Sequence, residues 1–82
     1  MSRVVPFPRT RDRSFVRRHA LRMAMLPEQT AERHLAHQIT IQVDTMRKRG
    51  VDEELIERER RALEVAIRAT LWRMVLSPGG AV

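Results

Sequence analysis

The chain has 82 residues, no cysteine and a formal net charge of +6, from 16 Lys and Arg side chains against 10 Asp and Glu. This length predicts one small domain. The lack of cysteine excludes disulfides and cysteine-based zinc sites, so stability must come from helix packing or from a partner subunit. No apolar run approaches the ~20 residues of a membrane span, and the first residues lack the apolar core of a signal peptide.

The excess positive charge lies in the N-terminal third. Residues 1–26 contain seven arginines and a single acidic residue, Asp12, whereas residues 27–82 contain nine basic and nine acidic side chains. A GC-rich genome would explain the preference for Arg over Lys, but it would not explain this segregation. The asymmetry predicts an anionic partner for this end, which could be nucleic acid, an acidic protein face or anionic lipid.

Residues 1–11 are predicted to form an extended basic arm. Pro6 and Pro8, on either side of Phe7, favour polyproline-like geometry and exclude a helix. Phe7 and the valine pair before the first proline would form a sticky apolar patch if they were exposed. We therefore favour docking of the arm onto its own helices, with docking onto another protein as the alternative.

A first helix is predicted over residues 12–26, with Thr10 or Asp12 as its N-cap. Pro27 ends this helix, because proline pushes the residue before it out of the helical region. At about 100° per residue, one side of the helix is mostly apolar. This side consists of Phe15, Val16, His19, Ala20, Met23 and Leu26.

Two longer helices are predicted over residues 28–49 and 53–76. Pro27 should occupy the first turn of helix 2, Gly50 should take the left-handed conformation at its end, and Asp52 should cap helix 3. So short a turn predicts a long antiparallel hairpin on which helix 1 packs. The expected fold is an all-α, three-helix arrangement in a single helical domain of residues 12–77, with a disordered tail of residues 78–82.

The end of helix 3 has a second apolar stripe beside its core face. The stripe consists of Val65, Ala69, Trp72 and Leu76. In an antiparallel hairpin this end lies beside the start of helix 2, where helix 1 is attached. We therefore predict that helix 1 covers the stripe, with a subunit contact anchored by Trp72 as the alternative.

Helix 1 spans only about 21 Å, so it cannot cover the whole hairpin. The turn end should keep apolar side chains exposed, and a mixed apolar and polar strip of this kind suits a subunit contact. We predict a homodimer with an isologous interface at this end. The predicted interface residues are Ile41, Met46, Leu55 and Ile56.

Residues with catalytic or metal-binding potential form no recognisable pattern. His34 and His37 lie one helical turn apart, but the next candidate ligand is two turns away, and a metal site needs three or four ligands. His19, on the apolar side of helix 1, is expected to be a packed histidine with one hydrogen bond. Gly79 and Gly80 follow a helix, which is the wrong context for a phosphate loop. We predict a protein that is not an enzyme and that uses no cofactor or metal.

The arginines of the arm and of helix 1 predict contact with the phosphates of DNA or RNA, without sequence readout. The predicted contacts are Arg9, Arg11, Arg13, Arg17, Arg18 and Arg22. Helix 2 is too long for a helix-turn-helix, and Pro6 and Pro8 would interrupt the strand of a ribbon-helix-helix dimer. The alternative function is a protein–protein adaptor that binds a partner through the VVPFP arm and the bundle surface.

At VVPFP, RRHALRMA, PEQTAERHLAHQI and ATLWRMVLSPGG, the chain resembles a family of short, Arg-rich, helical bacterial proteins of unknown function. The resemblance covers most of the chain. It implies a bacterial protein located in the cytoplasm. It transfers no activity and no site residues.

Overall fold

The computed structural model describes residues 12–76, which form three helices. These are α1 (Arg13–Ala24), α2 (Glu28–Lys48) and α3 (Glu53–Leu76), and all three pack against one another. The predicted all-α, three-helix arrangement is therefore confirmed. The predicted arm of residues 1–11 and the predicted tail of residues 78–82 lie outside the described residues.

Helix α1 begins as expected but ends earlier than expected. The Asp12 side chain accepts a hydrogen bond of 3.0 Å from the Phe15 backbone N–H, so Asp12 is the N-cap. The helix ends at Ala24, and the next two amides bond to carbonyls three residues back, each at 3.1 Å. Pro27 is the N-cap residue of α2 and has an extended conformation, with φ −58° and ψ 151°. Our placement of Pro27 inside the first turn was wrong by one residue.

The link between α2 and α3 is a Schellman turn. Gly50 has a φ of 81°, the Val51 N–H donates to the Met46 carbonyl at 3.0 Å, and the Gly50 N–H donates to the Arg47 carbonyl at 3.0 Å. These are the two bonds that define the motif. Asp52 then caps α3, because its side chain accepts from the backbone N–H two residues on at 3.1 Å.

The core lies where the three helices meet, and α1 packs more extensively on α3 than α2 does. The predicted apolar side of α1 is largely buried, as are the central positions of the other two helices. The buried core residues are Phe15, Val16, Ala20, Met23, Ala31, Leu35, Ile39, Leu63 and Ile67. Within the described range, no helix has an apolar stretch long enough to cross a lipid bilayer.

The prediction that helix 1 covers the second stripe of helix 3 was wrong. Trp72 is 59% exposed, and Val65 and Leu76 are each 65% exposed. The reason is rotational: at 100° per residue, Trp72 lies about 140° around the helix from the fully buried Ile67. Helix α1 lies along a different flank of α3, the one that carries Ala66.

The turn end is also more closed than we expected. Ile56 is only 2% exposed and Val51 is buried too, at the positions of a hydrophobic staple across the first turn of α3. Ile56 is therefore removed from the predicted dimer interface, because its side chain is already inside the fold. Ile41 is exposed, while Met46 and Leu55 are half-buried. The dimer itself stays a prediction.

Candidate nucleic-acid interface

Two of the predicted phosphate-binding arginines line a groove between α1 and α3. Arg13 and Arg17, one turn apart on α1, lie on one wall, and Arg73 of α3 joins them from the other. The groove has a volume of about 610 Å³. Its remaining described lining residues are Val16, Ala66, Ala69 and Thr70, and none of those described is acidic. Three cations therefore converge on a shallow, largely apolar floor.

No carboxylate within residues 12–76 neutralises these three arginines. None of the ion pairs between residues 12 and 76 includes Arg13, Arg17 or Arg73. The Arg73 guanidinium donates to the Thr70 hydroxyl at 3.2 Å, and that hydroxyl donates to the Ala66 carbonyl at 2.9 Å. Thr70 thus holds Arg73 at the groove without removing its charge. Like charges brought together in this way favour an anionic ligand.

Other arginines of α3 are engaged by carboxylates. Arg60 and Arg61 both pair with Glu57, at 2.7 Å and 3.1 Å, and their hydrogen bonds lower the pKa of Glu57 to about 2. Glu57 and Arg61 lie four residues apart, so their pair joins neighbouring turns of the same helix. These charges are satisfied within the molecule, which distinguishes them from the arginines of the groove.

Arg68 links α3 to α2. Its two terminal nitrogens donate to the two carboxylate oxygens of Glu32, at 2.9 Å and 2.7 Å, and its Nε donates to Glu64 at 3.1 Å. Hydrogen bonding to Glu32 raises the pKa of Arg68 above its ordinary value. The i,i+4 spacing on α3 accounts for the contact with Glu64, but no local pattern indicates the contact with Glu32 on the other helix. Here Arg68 fixes the two helices to each other and is not a candidate for ligand binding.

Arg18 and Arg22 lie on the opposite flank of α1, where they line a second groove of about 350 Å³ that faces α2. The Arg18 guanidinium carbon lies 5.6 Å from the centroid of the Phe15 ring, within cation–π range. The four predicted arginines of α1 therefore form two separate pairs. Arg9 and Arg11, the other two predicted contacts, lie outside the described residues.

A hydrogen bond between two histidines lies in the wall of the second groove. His19 Nδ1 and His34 Nε2 are 2.9 Å apart, so one imidazole donates and the other accepts. Burial, then the charges of His34 and Arg18, lower the pKa of His19; burial, then Arg22 and His37, lower the pKa of His34. The expectation of a packed His19 with a hydrogen bond is confirmed. Its partner was missed, because the sequence places His34 beside His37 and gives no sign of a contact between helices.

The described residues contain no cluster of three or more His, Asp or Glu side chains that could hold a metal ion. The His19–His34 pair brings together two possible ligands, and His37 projects one turn away from His34 on α2. We assign the pair a role in joining α1 to α2. Of the two grooves, the one between α1 and α3 has more arginines without an ion pair among the described residues, three against two.

No curated protein and no solved structure matches the chain. A sequence model of the family of unknown function DUF6074 matches residues 1–82, which confirms the resemblance to a family without an assigned activity. The chain belongs to the DUF6074 family.

Proposed function

We propose that this protein is a small, non-enzymatic binding protein that contacts nucleic acid through the groove between α1 and α3. The observation that carries the proposal is the convergence of Arg13, Arg17 and Arg73 on one groove, with no carboxylate paired to any of them among the described residues. Guanidinium groups suit phosphate because they can donate two parallel hydrogen bonds to it. The role that follows is accessory or regulatory.

Binding at this groove should be electrostatic and nearly independent of sequence. In this proposal the three arginines contact phosphates, the apolar lining side chains are small, and the described lining residues include no Asn or Gln that could read a base edge. Each phosphate neutralised releases counterions, which gives a slope of about −0.9 in log affinity against log salt on duplex DNA. Three contacts therefore predict a slope of about −2 to −3, and weak binding at physiological salt.

The test is a salt titration of binding to fluorescent oligonucleotides, begun at about 50 mM salt, with a charge-matched control. The test variant replaces Arg13, Arg17 and Arg73 with Gln. The control variant replaces three other exposed arginines that make no ion pair within the described residues. These are Arg33, Arg49 and Arg58.

The test variant should lose most of its affinity and most of its salt dependence, while the control should bind almost as the original protein does. Equal losses in both variants would show that net charge alone governs binding and that the groove has no role. Absence of binding by the original protein at the lowest salt would end the nucleic-acid proposal altogether.

A protein–protein adaptor is the second candidate, and one observation favours it: the large apolar side chains of Val65, Trp72 and Leu76 are exposed at the end of α3. Apolar contacts survive salt that abolishes phosphate contacts. An adaptor therefore predicts a specific complex that is retained at high salt. In the adaptor hypothesis the VVPFP arm contributes as well, so deleting residues 1–9 should remove the partner.

We also propose that the protein is located in the bacterial cytoplasm and forms a homodimer. The location rests on the family resemblance and on the lack of cysteine, which suits a reducing compartment. The dimer rests on the exposed Ile41 beside the half-buried Met46 and Leu55. Sedimentation of a stable monomer at tens of micromolar would rule out the dimer.

A further inference from the structure

A line of apolar side chains runs along the outside of α3, and its three large members are exposed. We call it the outer strip, and it consists of Val65, Ala69, Trp72 and Leu76. The spacing of i, i+4, i+7 and i+11 puts these residues in one row along the helix. Trp72, at 59% exposed, is the largest side chain in the row and the single tryptophan of the chain.

The outer strip forms the rim of the arginine groove. Ala69 belongs to both, because it lines the groove and stands in the middle of the strip. Residues three and four positions apart are neighbours on a helix surface, so Trp72 and Arg73 both lie next to Ala69. The exposed indole ring therefore lies at the edge of the groove, across Ala69 from Arg73.

The strip lies next to a cation that pairs with no described carboxylate. Arg68, in the same half of α3, is paired with Glu32 and Glu64, whereas Arg73 has no carboxylate partner among the described residues. A nonpolar protein surface would satisfy the apolar side chains, but it would leave Arg13, Arg17 and Arg73 of the adjoining groove without partners. A ligand with an anionic edge and an aromatic face would pair with the arginines and also cover the apolar side chains.

We propose that the groove and the outer strip together bind single-stranded nucleic acid, with phosphates on Arg13, Arg17 and Arg73 and an unpaired base stacked on Trp72. This inference rests on the function proposed above and narrows its substrate class. Single strands expose base faces that a duplex keeps stacked inside. Stacking on an aromatic side chain does not depend on sequence, which agrees with a groove that reads no base edges.

The intrinsic fluorescence of the protein reports on Trp72 alone, because the chain has one tryptophan and no tyrosine. The titration measures tryptophan emission and affinity for three ligands: a pyrimidine single strand of about 20 nucleotides, a duplex of the same length, and inorganic polyphosphate. The single strand should quench the emission and bind more tightly than the other two. Polyphosphate supplies the anionic edge without any base.

Replacing Trp72 with Ala should weaken single-strand binding by about tenfold or more and leave duplex and polyphosphate binding nearly unchanged. Trp72→Phe should keep most of the affinity, because the ring remains. Met25→Ala, which removes an exposed apolar side chain just after the end of α1, is the matched control. Circular dichroism confirms that each variant is folded, which is expected because Trp72 is outside the core.

Unchanged single-strand affinity in Trp72→Ala would overturn the inference. The proposed function would still stand if the triple arginine variant lost affinity for all three ligands. If none of the three ligands bound, the proposed function and the single-strand inference would both be rejected. Dimerisation that is lost in Trp72→Ala would also overturn it, because a second copy of the chain would then occupy the strip.

Discussion

His19 Nδ1 lies 2.9 Å from His34 Nε2, so a hydrogen bond between two imidazoles joins α1 to α2. The bond requires at least one neutral ring, and it is surrounded by cations, since Arg18, Arg22 and His37 all disfavour a charge on these histidines. The contact between α1 and α2 is therefore sensitive to acid.

This arrangement predicts that stability falls as the pH drops below about 6.5. The pKa of each histidine is lower in the folded protein than its ordinary value of 6.5. Between the pKa values of the folded protein and 6.5, the unfolded chain binds more protons than the folded one. The free energy of unfolding is therefore highest above pH 6.5 and decreases as the pH falls toward the pKa values of the folded protein. Urea unfolding at about pH 7.5 and about pH 5.5 measures the effect. His34→Gln should flatten the difference, whereas His37→Gln should keep most of it. Equal stability of the original protein at both pH values would contradict the prediction.

Ile67→Ala should be the most damaging single truncation in α3. Ile67 is fully buried at the point where the helices meet, so its loss removes apolar burial and leaves a cavity. We expect a cost of about 2–5 kcal/mol in the free energy of unfolding, measured by denaturant titration. Val75→Ala, which truncates an exposed side chain on the same helix, should cost less than about 0.5 kcal/mol. Similar costs for the two would show that the core is not where we place it.

Gly50→Ala should destabilise the hairpin by about 1 kcal/mol. No atom would collide with the added Cβ, since nothing lies within 4 Å of it, but the φ of 81° is unfavourable for any residue with a side chain. The cost is therefore conformational and not steric. Gly50→Asn should be milder, because Asn tolerates the left-handed region better than Ala. Thermal unfolding compares the two, and an Asn variant less stable than the Ala variant would reject this explanation.

A double-mutant cycle on Glu32 and Arg68 should give a coupling free energy of about 0.5–1 kcal/mol at low salt. Both side chains are partly exposed, so solvent screening keeps the value small in spite of the paired geometry. Raising the salt should reduce the coupling further. The cycle uses Glu32→Gln and Arg68→Gln, with stability measured by urea unfolding. A coupling of zero at low salt would mean that the link between α2 and α3 makes no net contribution.

The features that could be predicted from the sequence are those set by neighbouring residues. Gly50 and Asp52 specify the Schellman turn and the following cap locally, whatever the rest of the chain does. The apolar side of α1 follows from helical periodicity alone. The separation of Arg13 and Arg17 from Arg18 and Arg22 follows in the same way, because they fall on opposite margins of that side.

The features that were missed depend on how the helices rotate against one another. Trp72 was assigned to a covered stripe, but periodicity cannot say which flank of α3 receives α1. For the same reason, periodicity does not indicate that His19 contacts His34 or that Arg68 contacts Glu32. It also does not indicate that Arg73 lines the groove beside α1. Each of these contacts joins residues far apart in sequence, and none leaves a local pattern.

The arginines of α1 give the molecule a marked electric dipole. Residues 1–26, four of whose arginines lie on α1, have all of the excess charge, while residues 27–82 are balanced. The electric field of a polyanion orients such a molecule during the approach, so that α1 faces the polyanion when the two make contact. Association should therefore be fast at low ionic strength and slow steeply as salt is added, while the lifetime of the bound state is set by the contacts at the groove.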